Sequence, residues 1–241
     1  PPAVAAVLNE VEERGRSATT INSYREIMAR WCNWMIREKG VKFLETGSEN
    51  PVSRIPRRKT KDPEIKVITE EETTQLLALI AGVMMRAMAA VLAYAGLRRG
   101  ELMWLTKEDV DLERGVIYIR AKTVDGEYWQ PKTGRARNVP ISSALRAELD
   151  RYTPPEGSIW FFSSPLGHRC DEDNWSKRFA KAQSKAAKAL KKTVGALTLR
   201  HCFGTRLAEN GVSLLKISKL MGNSPEICRK HYARVMPEDL R

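Results

Sequence analysis

The sequence predicts a mainly α-helical protein with one small antiparallel β-sheet, built as a small all-helical domain followed by a larger mixed one. Three observations carry this. Apolar residues recur at three- and four-residue steps through most of the 241 residues, in segments closed by glycines such as Gly40, Gly96 and Gly211. Two neighbouring stretches, GVIYIR (115–120) and EYWQPKTGRARNV (127–139), read instead as strands that pair back on one another. Between the domains the chain changes character at ETGSENPVSRIPRRKTKDPE, where prolines and a glycine surround a basic cluster. The helical domain is therefore placed at 1–50, a basic linker at 51–65 and the larger domain at 66–241.

Taken in order, residues 3–14 read as a first helix and 19–39 as a second, with Ile21, Tyr24, Met28, Trp31 and Met35 at helical spacing. In the larger domain Thr69 caps a helix whose first turn holds Glu71 and Glu72, suited to its positive end. VMMRAMAAVLAYA is a largely buried helix, RRGELMWL opens a short one, and ISSALRAELDRY is helical again. SIWFF is a short strand or a buried turn, and 173–192 form one long helix. The C-terminal stretch divides into three helices at Asn210-Gly211 and Gly222-Asn223. Ser224-Pro225-Glu226 starts the last of them and places Tyr232 two turns in. Trp31, Trp34, Trp104, Trp160 and Trp175 are assigned to the core, and Trp129, near Lys132, to bracing the hairpin.

The formal net charge is +12 and the pI near 9.7, a field that favours a polyanionic partner, nucleic acid above all. Four scattered cysteines and three histidines offer no metal-binding spacing and fit a reducing, cytoplasmic setting. No apolar run reaches membrane-spanning length, since Arg86 interrupts the longest. No secretory signal pattern is visible, and the opening PPAVAAV without methionine suggests a trimmed product.

Basic side chains gather at turns and element ends. Arg98 lies just beyond Gly96, Lys132 beside the Thr133-Gly134 turn, and Arg200 and His201 at a helix start, with Arg206 further along. Each taken alone reads as structural or solvated. No acidic cluster suggests a divalent-ion site.

Together they resemble something specific. GLRRGEL is similar to the first arginine box of the tyrosine recombinases, the phage-integrase family. PKTGRARNVPI resembles the family's hairpin lysine with its trailing Arg-x-Val-Pro, and LRHCFGTRLAENGVSLLKISKLMGNSPEICRKHY its second arginine box and nucleophile helix. The similarity runs from about Thr69 to the end; Thr20 to Pro51 more weakly resembles the family's helical core-binding domain.

The resemblance implies two domains that clamp duplex DNA, a tyrosine that attacks a backbone phosphate, and a 3′-phosphotyrosyl bond beside a free 5′-hydroxyl. It makes Tyr232 the nucleophile, gives Arg98 and Arg200 the non-bridging oxygens, and has Lys132 protonate the leaving oxygen. Glu101 braces Arg98, and His201 stands where the family has a supporting histidine. Guanidiniums that stay charged suit the equatorial oxygens of a pentacoordinate phosphorus, so neither metal nor other cofactor is required. The expected assembly is a tetramer on two duplexes, in association with the nucleoid.

Two positions depart from the family pattern. Leu197 stands where a histidine usually precedes the second arginine, and Asn223 where a histidine or tryptophan follows Gly222. Asparagine can still donate to a phosphate oxygen; leucine cannot handle a proton. A recombinase with altered proton handling is one outcome and a relative that binds DNA without cutting it is the other. Backbone contacts are expected from Arg135 and Arg137 on the hairpin and from the stripe Arg178, Lys181, Lys185, Lys188 and Lys192. The cluster Arg54, Arg57, Arg58, Lys59 and Lys61 either keeps the linker solvated or joins them. A helix-turn-helix regulator at 198–221 is a further reading, which leaves the GLRRGE and PKTGRAR segments unexplained.

Overall fold

Ser17 accepts a hydrogen bond from the Thr20 amide at 3.2 Å and so starts helix α2 (Ala18–Lys39), which ends at Gly40 in the left-handed conformation. With α1 (Pro2–Glu13) and a 3₁₀ turn at Pro51–Arg54 it builds the first of two units, residues 1–64; the second is 65–241. The computed structural model describes residues 2–43, 46–60 and 65–238, so Lys61 lies outside the described residues.

The first unit closes around Leu8, Ile21 and Ile55. Residues 51–60, expected as a linker, pack onto its helices. Asn22 exchanges hydrogen bonds with the Arg58 backbone at 2.9 Å, and Arg25 donates to the carbonyls of Ile55 (2.7 Å) and Val52 (3.1 Å). These polar anchors decide which side of α2 faces inward. Ile21, Met28 and Cys32 share the packed side, while Trp31 and Trp34 are 56% and 48% exposed, which corrects their assignment to the core. Tyr24, on the same outer stripe, is exposed as well.

In the second unit, Thr69 and Glu72 form a reciprocal capping box at the start of α3 (Glu70–Leu79). Helix α4 (Val83–Ala95) buries nine of its thirteen residues and packs on α9 (Ala196–Glu209). At Gly96, φ is +62° and an added Cβ would lie 2.2 Å from the Phe203 ring, so glycine answers both a left-handed turn and a close approach. Short α5 (Arg99–Met103) follows.

Two small antiparallel sheets come next. β1 (Val110–Asp111), β2 (Val116–Ile119) and β5 (Arg137–Pro140) form one, in the order β1-β2-β5; β3 (Lys122–Val124) and β4 (Glu127–Trp129) form the other. Asp125 and Gly126, both with positive φ, make the two-residue turn between β3 and β4. SIWFF is an irregular segment, buried except for Ile159, with a single bridge from Thr106 to Trp160. Helix α6 (Ser143–Leu149) packs on α4.

The expected helix over 173–192 is broken into α7 (Glu172–Ala182) and α8 (Ser184–Leu190). At the break, the buried Gln183 amide donates to the Val194 carbonyl at 2.5 Å and accepts from its N–H at 3.2 Å. That contact satisfies the buried Val194 backbone, while the Gln183 N–H still bonds the Phe179 carbonyl and its carbonyl still accepts from the Ala187 N–H. α10 (Leu214–Met221) and α11 (Pro225–Tyr232) close the unit, with Ser224 capping the latter. No described helix is long and apolar enough to cross a membrane.

Candidate active site

Arg98 occupies the N-cap of α5. Its amide donates to Glu101 Oε2 at 2.7 Å and its Nη1 to Oε1 at 3.0 Å. Glu101 is 2% exposed and also receives Arg137 in a two-pronged contact, Nη1 to Oε1 at 2.9 Å and Nη2 to Oε2 at 2.5 Å. Arg200 Nη1 stands 4.0 Å from the same carboxylate. Three guanidiniums thus surround one carboxylate. Burial alone would raise the Glu101 pKa, but the hydrogen bonds and charge of Arg137 outweigh it and hold the carboxyl below its usual range. Burial and the neighbouring Arg98 lower Arg200 to about 10, which leaves it charged at neutral pH.

The free edges of Arg98 and Arg200 converge. Arg98 Nη2 donates to the Gly222 carbonyl (2.6 Å) and to Asn223 Oδ1 (2.7 Å). Arg200 Nη2 donates to the Met221 carbonyl (2.6 Å) and to the same Asn223 oxygen (2.9 Å), and its Nη1 to the Gly96 carbonyl. Met221 and Gly222 lie at the C-terminal end of α10, where the helix dipole presents partial negative charge to the arginines. One neutral amide oxygen therefore sits where two guanidinium edges meet, a position chemically suited to an anionic oxygen.

Tyr232, the last residue of α11, is fully buried. Its hydroxyl is 3.0 Å from His201 Nδ1, and a Cβ built on Gly204 would fall 2.4 Å from Cζ. Burial raises the phenol pKa, and the charge of Arg200 offsets this only in part. Burial, with His231 and Arg200 nearby, drives the His201 imidazole down to about 4, so it is neutral at neutral pH and able to accept a hydrogen bond from the phenol. Leu197, one turn before Arg200 on α9, is 66% exposed.

Arg98, Glu101, Arg200 and Asn223 are thus brought together, with Tyr232 and His201 paired beside Arg200. Lys132 is exposed in the turn between β4 and β5 and has no hydrogen bond or ion pair among the described residues. Arg135 is exposed on the same turn. Arg137, expected on a DNA backbone, is buried instead: its guanidinium holds Glu101 and donates from Nε to the Leu220 carbonyl at 2.8 Å. The signal for this was in the strand RNVP, where Arg137 shares a face with the buried Val139. An open groove of about 730 Å³ lies between residues 133–138 and the 215–225 segment, with Arg135, Arg137, Lys219 and Asn223 among its walls.

Of the other basic residues, Arg178 and Lys181 lie on α7 and Lys185 and Lys188 on α8, all exposed, whereas Lys192 pairs with Glu72 at 2.6 Å. In the first unit Arg54 pairs with Glu49 (2.7 Å), Arg57 with Glu26 (2.5 Å) and Arg58 with Glu12 (2.9 Å), while Lys59 is exposed. No group of His, Cys, Asp or Glu suited to a metal ion is present among the described residues.

Residues 66–238 match the phage integrase family, and the chain belongs to that family, the tyrosine recombinases. It is 30% identical over 218 residues to the tyrosine recombinase XerA of Thermococcus kodakarensis, covering 88% of this chain and 73% of that protein. It is 26% identical over 261 aligned positions to a XerC-like tyrosine recombinase of Caldanaerobacter subterraneus subsp. tengcongensis, covering 95% of this chain and 66% of that protein, just under two thirds of its length. The structure is similar to the Tn1549 transposon integrase in complex with circular intermediate DNA, with a TM-score of 0.72 at 21% identity over 99% of this chain and 83% of that one. It is also similar to a lambda integrase dimer bound to a COC′ core site, with a TM-score of 0.69 at 19% identity over 95% and 63% of the two chains. At such identities the likeness establishes the fold.

Proposed function

We propose that the chain is a site-specific DNA recombinase that cleaves and rejoins duplex DNA through a 3′-phosphotyrosyl intermediate. The supporting observation is the meeting of Arg98 Nη2 and Arg200 Nη2 on one oxygen, at 2.7 and 2.9 Å. A phosphodiester that displaces the Asn223 carbonyl from this fork meets two charged, planar donors fixed by Glu101, which stabilise charge as it grows on the non-bridging oxygens.

In this reading the Tyr232 oxygen attacks phosphorus and His201 Nδ1 accepts the phenolic proton, the part left open by Leu197. Lys132 gives a proton to the departing 5′ oxygen. Asn223, turned outward, donates through Nδ2 to a phosphate oxygen. Covalent attack divides the exchange into two similar steps and conserves the phosphoester bond. Tyr232 is buried, so the reaction also requires α11 to turn the hydroxyl toward the fork.

The first unit acts as the core-binding domain. Arg135, Arg178, Lys181, Lys185 and Lys188, with Lys59, grip phosphates directly; Arg54, Arg57, Arg58 and Lys192 do so by exchanging their carboxylate partners. Strand exchange takes place in a tetramer on two duplexes, at the nucleoid. A second reading, a relative that binds DNA without cutting, draws on the buried Tyr232 and on Asn223 filling the fork.

The experiment uses a pool of partly randomised, nicked duplexes that release a short fragment on cleavage, resolved on a denaturing gel beside Tyr232→Phe. An adduct formed only with the tyrosine supports the recombinase and yields the site. Strong native binding with no adduct at high protein concentration establishes the non-cutting reading.

A further inference from the structure

The loop that carries Lys132 is fixed at both ends to one five-residue helix, α5, whose N-cap is Arg98. At the trailing end, Arg137 opens β5 and grips Glu101 in the first turn of α5. At the leading end, the Trp129 indole lies flat on Trp104, the C-cap of α5, with ring centroids 5.6 Å apart and planes 12° from parallel.

Trp104 is a firm platform. It is buried, meets Trp160 edge-on at 5.4 Å, and has the Arg169 guanidinium 4.3 Å from its ring centroid. Lys122 rivets the stack. It faces Trp129 across the β3–β4 register, holds its Nζ 5.8 Å from the Trp129 ring centroid, and donates to the Trp104 carbonyl at 3.1 Å and to Asp109. Past Trp129 the chain turns within four residues, through a buried Pro131 and a bond from the Gly134 N–H to the Pro131 carbonyl at 2.7 Å. Three residues of chain let the Lys132 backbone stray at most about 10 Å from the stack. Lys132 has no side-chain partner among the described residues, so its backbone alone sets where the ammonium can reach.

We propose that Trp129 is a positioning residue for Lys132: its stack on Trp104 ties the lysine loop to the helix that carries Arg98 and so aims the ammonium at the leaving oxygen. This rests on Lys132 being the proton donor of the reaction proposed above. In that step the bond from the Tyr232 oxygen to phosphorus forms, the bond to the 5′ oxygen breaks, and that oxygen takes its proton from the lysine.

The test measures single-turnover adduct formation on the duplex recovered from the adduct pool, made with either oxygen or sulfur as the bridging 5′ atom. A thiol is far more acidic than an alcohol, the cysteine side chain having a pKa of about 8.5, so sulfur departs without needing a proton. Trp129→Ala is expected to be slowed about tenfold to a hundredfold on the oxygen substrate, the cost of a misplaced group. With sulfur it recovers to near the wild-type rate, which also shows that the variant folds. Lys132→Ala follows the same pattern with a larger loss on oxygen, Trp129→Phe keeps most of the rate, and Tyr128→Ala, on an exposed neighbour, matches wild type on both.

If Trp129→Ala is equally slow on both substrates, or normal on both, the positioning role is wrong. If wild type forms adducts but sulfur fails to rescue Lys132→Ala, the lysine is not the donor and the inference falls with it. If wild type forms no adduct at all, the recombinase reading fails first.

Discussion

Arg137 and Glu101 lock together end to end, Nη1 to Oε1 at 2.9 Å and Nη2 to Oε2 at 2.5 Å, with the arginine side chain 7% and the glutamate 2% exposed. The pair links strand β5 to helix α5. Removing one partner of a buried ion pair leaves the other uncompensated, which costs on the order of 3–5 kcal/mol. Glu101→Leu is the severe case, because it strands Arg98, Arg137 and Arg200 together; Arg137→Met is milder, because Glu101 keeps Arg98. Denaturant unfolding checks both, and a Glu101→Leu protein as stable as wild type would dismiss the role given to this carboxylate. Since the folded pKa of Glu101 is depressed, its contribution is complete only above the ordinary value of 4.5. It fades as the pH falls through the lower folded value.

Asn223 suggests a charge substitution. Asn223→Asp keeps the shape and places a carboxylate oxygen in the fork of Arg98 and Arg200. Charge-assisted bonds should stabilise the fold by about 1–3 kcal/mol. The same carboxylate competes with phosphate, so duplex binding by anisotropy should weaken about tenfold or more. Tighter binding by this variant would contradict the fork as a phosphate seat.

Gly204 offers a packing test. Alanine normally favours a helix over glycine by about 1 kcal/mol. Here its methyl would lie 2.4 Å from Tyr232 Cζ and 2.7 Å from the hydroxyl oxygen, against a ring with no free space. The overpacking cost of about 1–3 kcal/mol is expected to win. Gly204→Ala should therefore be less stable in thermal unfolding. An unchanged or raised Tm would mean that the Tyr232 ring does not occupy this slot.

His201 gives a pH signature. Its folded pKa of about 4 lies below the ordinary value of 6.5. Between these two values the unfolded chain binds more protons, so stability rises with pH across that window and falls as the solution is acidified from 6.5 toward 4. Titration of the imidazole resonances by NMR reads this directly; a His201 midpoint near 6.5 would exclude the buried, neutral ring.

Much of this site was legible because its parts are marked locally. Ser224-Pro225 announces the helix that carries Tyr232, Thr69 with Glu72 announces α3, and Gly96 ends α4 just before Arg98. The Thr133-Gly134 turn was equally readable, and the turn that it closes, from Pro131 to Gly134, splits the expected returning strand into β4 and β5. What stayed hidden depends on partners distant in sequence. Trp31 and Trp34 fit helical spacing as well as Met28 does, yet Arg25 and Asn22 turn α2 the other way by bonding to residues 52–58. The contact of Gln183 with the Val194 peptide likewise reaches beyond 173–192, and no pattern inside that segment reveals it.

The break between α7 and α8 also divides the basic face proposed to meet DNA. The Gln183 side chain ties the junction of α7 and α8 to the buried Val194 backbone, so the face is anchored from beneath. The exposed cations therefore come as two short sets, Arg178 with Lys181 on α7 and Lys185 with Lys188 on α8, while Lys192 is occupied by Glu72. On a duplex, as proposed above, four cations of this stripe rather than five are then ready to release counterions, and the salt dependence of binding is correspondingly shallower.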